Sequence, residues 1–124
     1  MAKFIYLAIG GLTGTFARYF LAGAVYGLLG ARFPYGTLIV NIFGCFLIGM
    51  LTTISENKFL LNPNLRVLLM IGFCGAFTTF STFMLETSNL IKDGETIRAF
   101  VNVFLSIVVG FIVFKIGVLL GDVL

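Results

Sequence analysis

Apolar residues fill the chain in four long runs, and most of the charge collects in the breaks between them. The first run covers about 4–29 and carries a charge only at Arg18. A lysine followed by an apolar stretch is also how a signal peptide begins. This stretch continues well past Arg18 and three more runs follow, so it is read as a membrane-spanning helix. The turn Gly30-Ala31-Arg32-Phe33-Pro34 ends it, and Pro34 is placed to open the next helix. The second run covers about 35–55 and gives way to Glu56-Asn57-Lys58 and then Asn62-Pro63-Asn64. The third covers about 65–91, with polar residues in its middle, and Lys92-Asp93-Gly94-Glu95 turns the chain into a fourth at about 97–120. A helix needs about 20 apolar residues to cross ~30 Å of hydrocarbon, and each run suffices. Loops this short make consecutive helices antiparallel. The expected fold is an all-α integral membrane protein, one transmembrane domain over residues 1–124 with four helices.

Composition sharpens this reading. Hydrophobic residues make up 60% of the chain and charged residues 10%, against roughly 25% charged in soluble domains. With so little polar surface, the chain's main partner is expected to be a lipid bilayer. The chain has no histidine, which removes imidazole metal sites, haem ligation and histidine proton relays. Cys45 and Cys74 lie inside apolar runs, against a disulfide framework or a paired redox motif. There is no glycine-rich phosphate loop to support ATP-driven transport. The net charge of +3 is too small and scattered for a nucleic-acid footprint, so no nucleic-acid partner is expected. No enzymatic constellation emerges.

Orientation is read from Lys and Arg in short loops. Lys3, Lys58 and Arg66 fall on one side, Arg32, Lys92 and Arg98 on the other, which is a tie. Either a boundary is miscounted or the protein inserts both ways and works as an antiparallel pair. Four helices can hardly enclose a pathway alone, which adds weight to dual topology. Gly10 and Gly14, Gly23 and Gly27, and Gly117 and Gly121 each have the small-xxx-small spacing that lets helix backbones approach.

A polar side chain in hydrocarbon is expensive and therefore a functional candidate. Arg18 has two readings: a fixed cation drawing anions to a pathway, or a salt bridge or carbonyl contact between helices, with Glu86 as a possible ion-pair partner. Asn41 shares a helical face with Thr37, Gly44 and Cys45, and its amide suits ion solvation or inter-helix bonding. The stretch Gly75–Thr79 mixes a glycine with two threonines at mid-membrane. A break in the helix there would free carbonyls for a hard cation, whereas a straight helix would turn its hydroxyls back onto its own carbonyls. Phe80 and Phe83 project on one face, where ring edges with positive charge can line an anion path. Thr79, Ser81 and Thr82 surround them with hydroxyl donors. Glu86 continues the Thr79–Thr82 face. Asn102 and Ser106, one turn apart on the fourth helix, either extend a polar track or pack against a neighbour.

The stretch Gly72–Phe83, GFCGAFTTFSTF, resembles the signature of the CrcB (Fluc) fluoride channels. GGLTGTFARY, with Arg18, resembles that family's first helix. PYGTLIVNIFGCFLIG, with Asn41, resembles its second, and NVF from Asn102 its fourth. The resemblance implies a fluoride-selective channel of the bacterial inner membrane that exports fluoride passively. It further implies an antiparallel dual-topology homodimer with two pores and a third helix broken near mid-membrane. A structural Na⁺ on the two-fold axis would be held by backbone carbonyls of Gly75 and Thr78. Phe80 and Phe83 would line the pores by their ring edges, and Asn41 would donate to fluoride. Thr79, Ser81, Thr82 and Ser106 are carried as further pore residues, Arg18 and Glu86 as vestibule charges. The chain departs from the pattern at Ala76, often Gly in the family, and at Met84 and Gly110, often Ser. The rival from another class is a small proton-coupled multidrug-type exporter, for which Glu86 would be the only membrane-embedded carboxylate. A third reading is an accessory membrane protein without transport, which no residue positively supports.

Overall fold

The computed structural model describes all 124 residues. Helix α1 runs Ala2–Leu29 and α2 runs Tyr35–Glu56. Helix α3 is composite: an α-helical turn Pro63–Arg66, a π-helical stretch Val67–Cys74 and a last turn Gly75–Phe77. Helix α4 runs Phe80–Lys92 and α5 runs Thr96–Val123. Local chemistry sets these ends. Gly30 leaves α1 at φ 83°, a conformation open to residues without a Cβ, while its amide bonds back to the Tyr26 carbonyl. Asn62 caps α3 by accepting from the Leu65 amide at 2.9 Å, with Pro63 in the first turn.

α1, α2, α3–α4 taken together as Pro63–Lys92, and α5 are each long and apolar enough to cross a membrane. The chain is a multi-pass membrane protein. Its surface agrees: only 24 of 124 residues are buried, and large apolar side chains such as Phe20, Ile71, Phe104 and Leu119 point outward, where lipid can cover them.

Consecutive spans run antiparallel, yet the tightest seams join parallel, non-consecutive ones. α1 lies along α3, with Gly10 against the Leu68 carbonyl and Gly72, and Gly14 against the Phe73 backbone. α2 lies along α5, with Gly49 against Phe114, Gly117 against Phe46, and Gly121 against Met50 and Thr53. At each of these glycines a Cβ would collide with neighbouring atoms, mostly backbone. In lipid the helix seams are held by such van der Waals fit, because the tails are as apolar as leucine. At Gly23 and Gly27, despite the same spacing, a Cβ would meet nothing within 4 Å.

Candidate functional site

The site begins where α3 stops. Thr78 (φ −87°, ψ 155°) and Thr79 (φ −148°, ψ 112°) are extended, two non-helical residues between Phe77 and Phe80. Thr78 keeps its amide on the Cys74 carbonyl at 3.1 Å, whereas Thr79 has lost its helical hydrogen bonds, and hydrocarbon offers no replacement. Asn41 supplies one. Its Nδ2 donates to the Thr79 carbonyl at 3.0 Å, and its Oδ1 accepts from the Thr79 amide at 2.7 Å. One side chain thus pairs both backbone groups of one residue, as a neighbouring strand would. Thr79 then caps α4, its Oγ1 accepting from the Thr82 amide at 3.3 Å and donating to Thr82 Oγ1 at 2.9 Å.

These bonds redirect the amides of Thr79 and Thr82, which in a continuous helix would reach the Gly75 and Thr78 carbonyls. The Ala76 carbonyl accepts from Arg18 Nε at 3.0 Å instead. Arg18 therefore bonds a carbonyl at the end of α3 and makes no ion pair with Glu86. The sole salt bridge is a peripheral one, Arg98–Glu95 at 3.5 Å. Glu86 is held by neutral hydroxyls: Thr37 Oγ1 donates at 2.7 Å, and the Tyr26 hydroxyl lies 3.3 and 3.2 Å from its two oxygens.

Phe80 and Phe83 stand 5.6 Å apart between centroids, tilted by 51°. Their surroundings differ. Phe83 is 5% exposed, whereas Phe80 is 72% exposed on the flank of the chain. Behind Phe83, Asn102 Nδ2 donates to Thr87 Oγ1 at 2.9 Å, and that hydroxyl donates to the Phe83 carbonyl at 2.7 Å. Asn102 thus joins α5 to α4.

Three cavities follow one another along α4. An inner one of about 420 Å³ is lined by Asn41, Gly75, Thr78, Phe80, Phe83 and Ser106, among others. Ser106 Oγ is buried there without a hydrogen-bond partner. A middle one of about 540 Å³ includes Arg18, Thr37, Thr82 and Glu86 in its lining and shares Thr79 with the inner one. An outer one of about 320 Å³, at Arg32 and Asp93, shares Tyr26 and Glu86 with the middle one. Of the site residues expected from sequence, Ser81 alone lines none of these cavities: the first turn of α4 points it outward, exposed.

Comparison with known proteins narrows the reading. Residues 5–118 match the family described as CrcB-like protein, Camphor Resistance (CrcB). A "Fluoride-specific ion channel FluC" of Geobacter sp. (strain M21) is 44% identical over 124 residues, the full length of both chains. Proteins of the same name from Geotalea daltonii and Geobacter metallireducens are 47% identical over 118 residues and 50% identical over 109 residues. They cover 95% and 88% of both chains respectively. The chain belongs to the CrcB family.

Two residues of this CrcB-family site were not singled out as site residues by sequence. Thr37 had a signal, since it lies one helical turn before Asn41 on the same face. Tyr26 had none: it is one aromatic ring in a run of small and apolar residues, and only the approach of α4 brings Glu86 to its hydroxyl.

Proposed function

We propose that this chain is a fluoride-selective channel, a transporter rather than an enzyme, that lets fluoride leave the cytoplasm passively. The carrying observation is the succession of cavities meeting at Thr79, set in a chain whose relatives are named fluoride-specific ion channels. Fluoride is small and tightly hydrated, so a selective path must replace its water with donors. Asn41 uses one amide hydrogen on Thr79 and keeps the second free. Ser106 Oγ is a buried polar group without a partner, an arrangement that a passing anion or water relieves. The ring edges of Phe80 and Phe83 add weak positive charge at the same cavity. A narrow passage penalises larger anions, and a channel needs no energy-coupling residue. Hydrogen fluoride entering from acidic surroundings dissociates inside, and the trapped anion leaves along this path.

The working unit is an antiparallel dual-topology homodimer with two pores, in the bacterial inner membrane. Phe80 and the inner cavity open on the protomer's flank beside polar atoms that lipid cannot satisfy. A second copy closes that flank, and the equal charge of the two loop sets permits its inverted insertion. The extended break at Thr78–Thr79 also fits a structural Na⁺. The Gly75 and Thr78 carbonyls lose their helical donors to Asn41 and Thr79, and a Cβ at Gly75 would meet no atom within 4 Å. Carbonyl oxygens suit a hard cation, and these two residues would hold it on the dimer axis. When bound, the ion would supply positive charge beside the break.

Fluoride efflux from liposomes holding the purified protein, followed with a fluoride electrode beside a chloride control, tests the proposal. Rapid fluoride release with negligible chloride release is expected. No release from folded, dimeric protein would remove the channel reading and turn attention to proton-coupled export through Glu86.

A further inference from the structure

Tyr26 and Glu86 are the two residues that line both the outer and the middle cavities, so together they form the joint between them. A carboxylate is a poor choice for the wall of an anion path, since like charges a few ångströms apart repel strongly where water is scarce. Glu86 has no cation on it. Arg18 faces it across the middle cavity but bonds the Ala76 carbonyl, while Arg32 and Asp93 line the outer cavity with opposite charges. Its oxygens are engaged by Thr37 from α2 and by Tyr26 from α1. Tyr26 is itself firmly seated. Its ring lies so close to α2 that a Cβ on Gly36 would strike it, and its hydroxyl is 3.3 Å from Thr37 Oγ1.

The geometry points to Tyr26 as a positioning residue that parks the Glu86 carboxylate against the wall of the joint. Pinned between two hydroxyls, the carboxylate has its charge partly offset by their protons, and it stays out of the opening. Released from Tyr26, it keeps one hydroxyl on one oxygen and is free to swing into the anion's way. The inference rests on the fluoride-channel reading and names a residue that sets how fast fluoride passes.

The test is fluoride efflux from liposomes holding the wild type, Tyr26→Phe, Glu86→Gln and the double variant. Wild-type efflux separates the two readings: without it the channel reading falls, whereas with it only the role of Tyr26 is at stake. Tyr26→Phe keeps the ring and removes the hydroxyl, so it is expected to elute as wild type and to slow efflux about tenfold, the scale of a hydrogen bond to a charged group. In the Glu86→Gln background the same change is expected to slow efflux less than about twofold, because no carboxylate remains to be held. Wild-type rates in Tyr26→Phe, or equal slowing in both backgrounds, would overturn the inference. If Glu86→Gln alone abolishes efflux, infrared difference spectroscopy replaces the cycle. The carboxylate band lost in Glu86→Gln should shift in Tyr26→Phe and stay in place in Tyr6→Phe; an unshifted band in Tyr26→Phe overturns the assignment.

Discussion

The two halves of α1 carry glycines at the same spacing and meet opposite surroundings. Gly10 and Gly14 press against the backbone of α3 so closely that a methyl group would not fit, whereas a methyl group on Gly23 or Gly27 would touch nothing in the chain. The cause lies in the partner. α3 ends at Phe77, the chain steps aside through two extended threonines, and α4 leaves the line that α3 followed. Arg18 stands at the fork, with its Nε on the last turn of α3. Beyond it α1 leaves the line of α3: Ala22 and Tyr26 meet α2 at Gly36, and the middle cavity opens beside Gly23. The packed seam and the site are thus two consequences of one event, the end of α3.

The comparison is broken most severely at Asn41, which holds that end in place. Asn41→Ala leaves the amide and carbonyl of Thr79 without partners, an expected loss of about 2–5 kcal/mol together with fluoride efflux. Thermal unfolding in detergent and liposome efflux read the two effects. Asn41→Asp keeps the acceptor for the Thr79 amide and should retain more stability while blocking efflux through charge repulsion. Unfolding of Asn41→Ala at the wild-type temperature would show that the break is held by something else.

Next come the aromatic residues. Phe80→Ile and Phe83→Ile are both expected to block efflux while eluting as wild type on size-exclusion chromatography. Their stabilities should part, because Phe83 is buried within the chain and Phe80 lies on its flank. Repacking at Phe83 should cost about 1 kcal/mol in the unfolding measurement. Wild-type flux in both variants would remove the aromatic assignment.

The seam responds more mildly. Gly14→Ala forces a Cβ onto the Phe73 carbonyl and should destabilise by about 1–3 kcal/mol, seen as earlier thermal aggregation. Gly27→Ala has the same chemistry on the open half of α1 and should change stability by less than about 1 kcal/mol, in the stabilising direction. Equal losses in the two variants would mean that Gly27 is packed in the assembled protein, and would place the partner chain on that half of α1.

Much of this was legible in the residues, and the reasons differ by level. Span length and hydropathy are one-dimensional quantities, so the apolar runs and the turns at Gly30–Pro34 and Lys92–Glu95 could be read directly. The family was legible through the order of polar residues in GFCGAFTTFSTF and the segments around Arg18, Asn41 and Asn102. Glycine spacing carried less. It marked where backbones can approach but not where they do, and so treated Gly23–Gly27 as equal to Gly10–Gly14. Arg18 and Glu86, the two charges within the spans that sequence offered as one possible pair, do not pair. A carbonyl freed by the end of α3 lies nearer to Arg18, and two hydroxyls lie nearer to Glu86.

By itself the sequence determined a membrane chain of four spans, its family, and the polar residues that hydrocarbon would tolerate only for a purpose. The tertiary structure decided which of those residues meet. Asn41 reaches Thr79, Thr37 and Tyr26 reach Glu86, and Asn102 reaches Thr87 because parallel seams α1–α3 and α2–α5 set the helices in register. That register depends on backbone fit between helices distant in sequence, a sub-ångström property that no local pattern of residue types encodes.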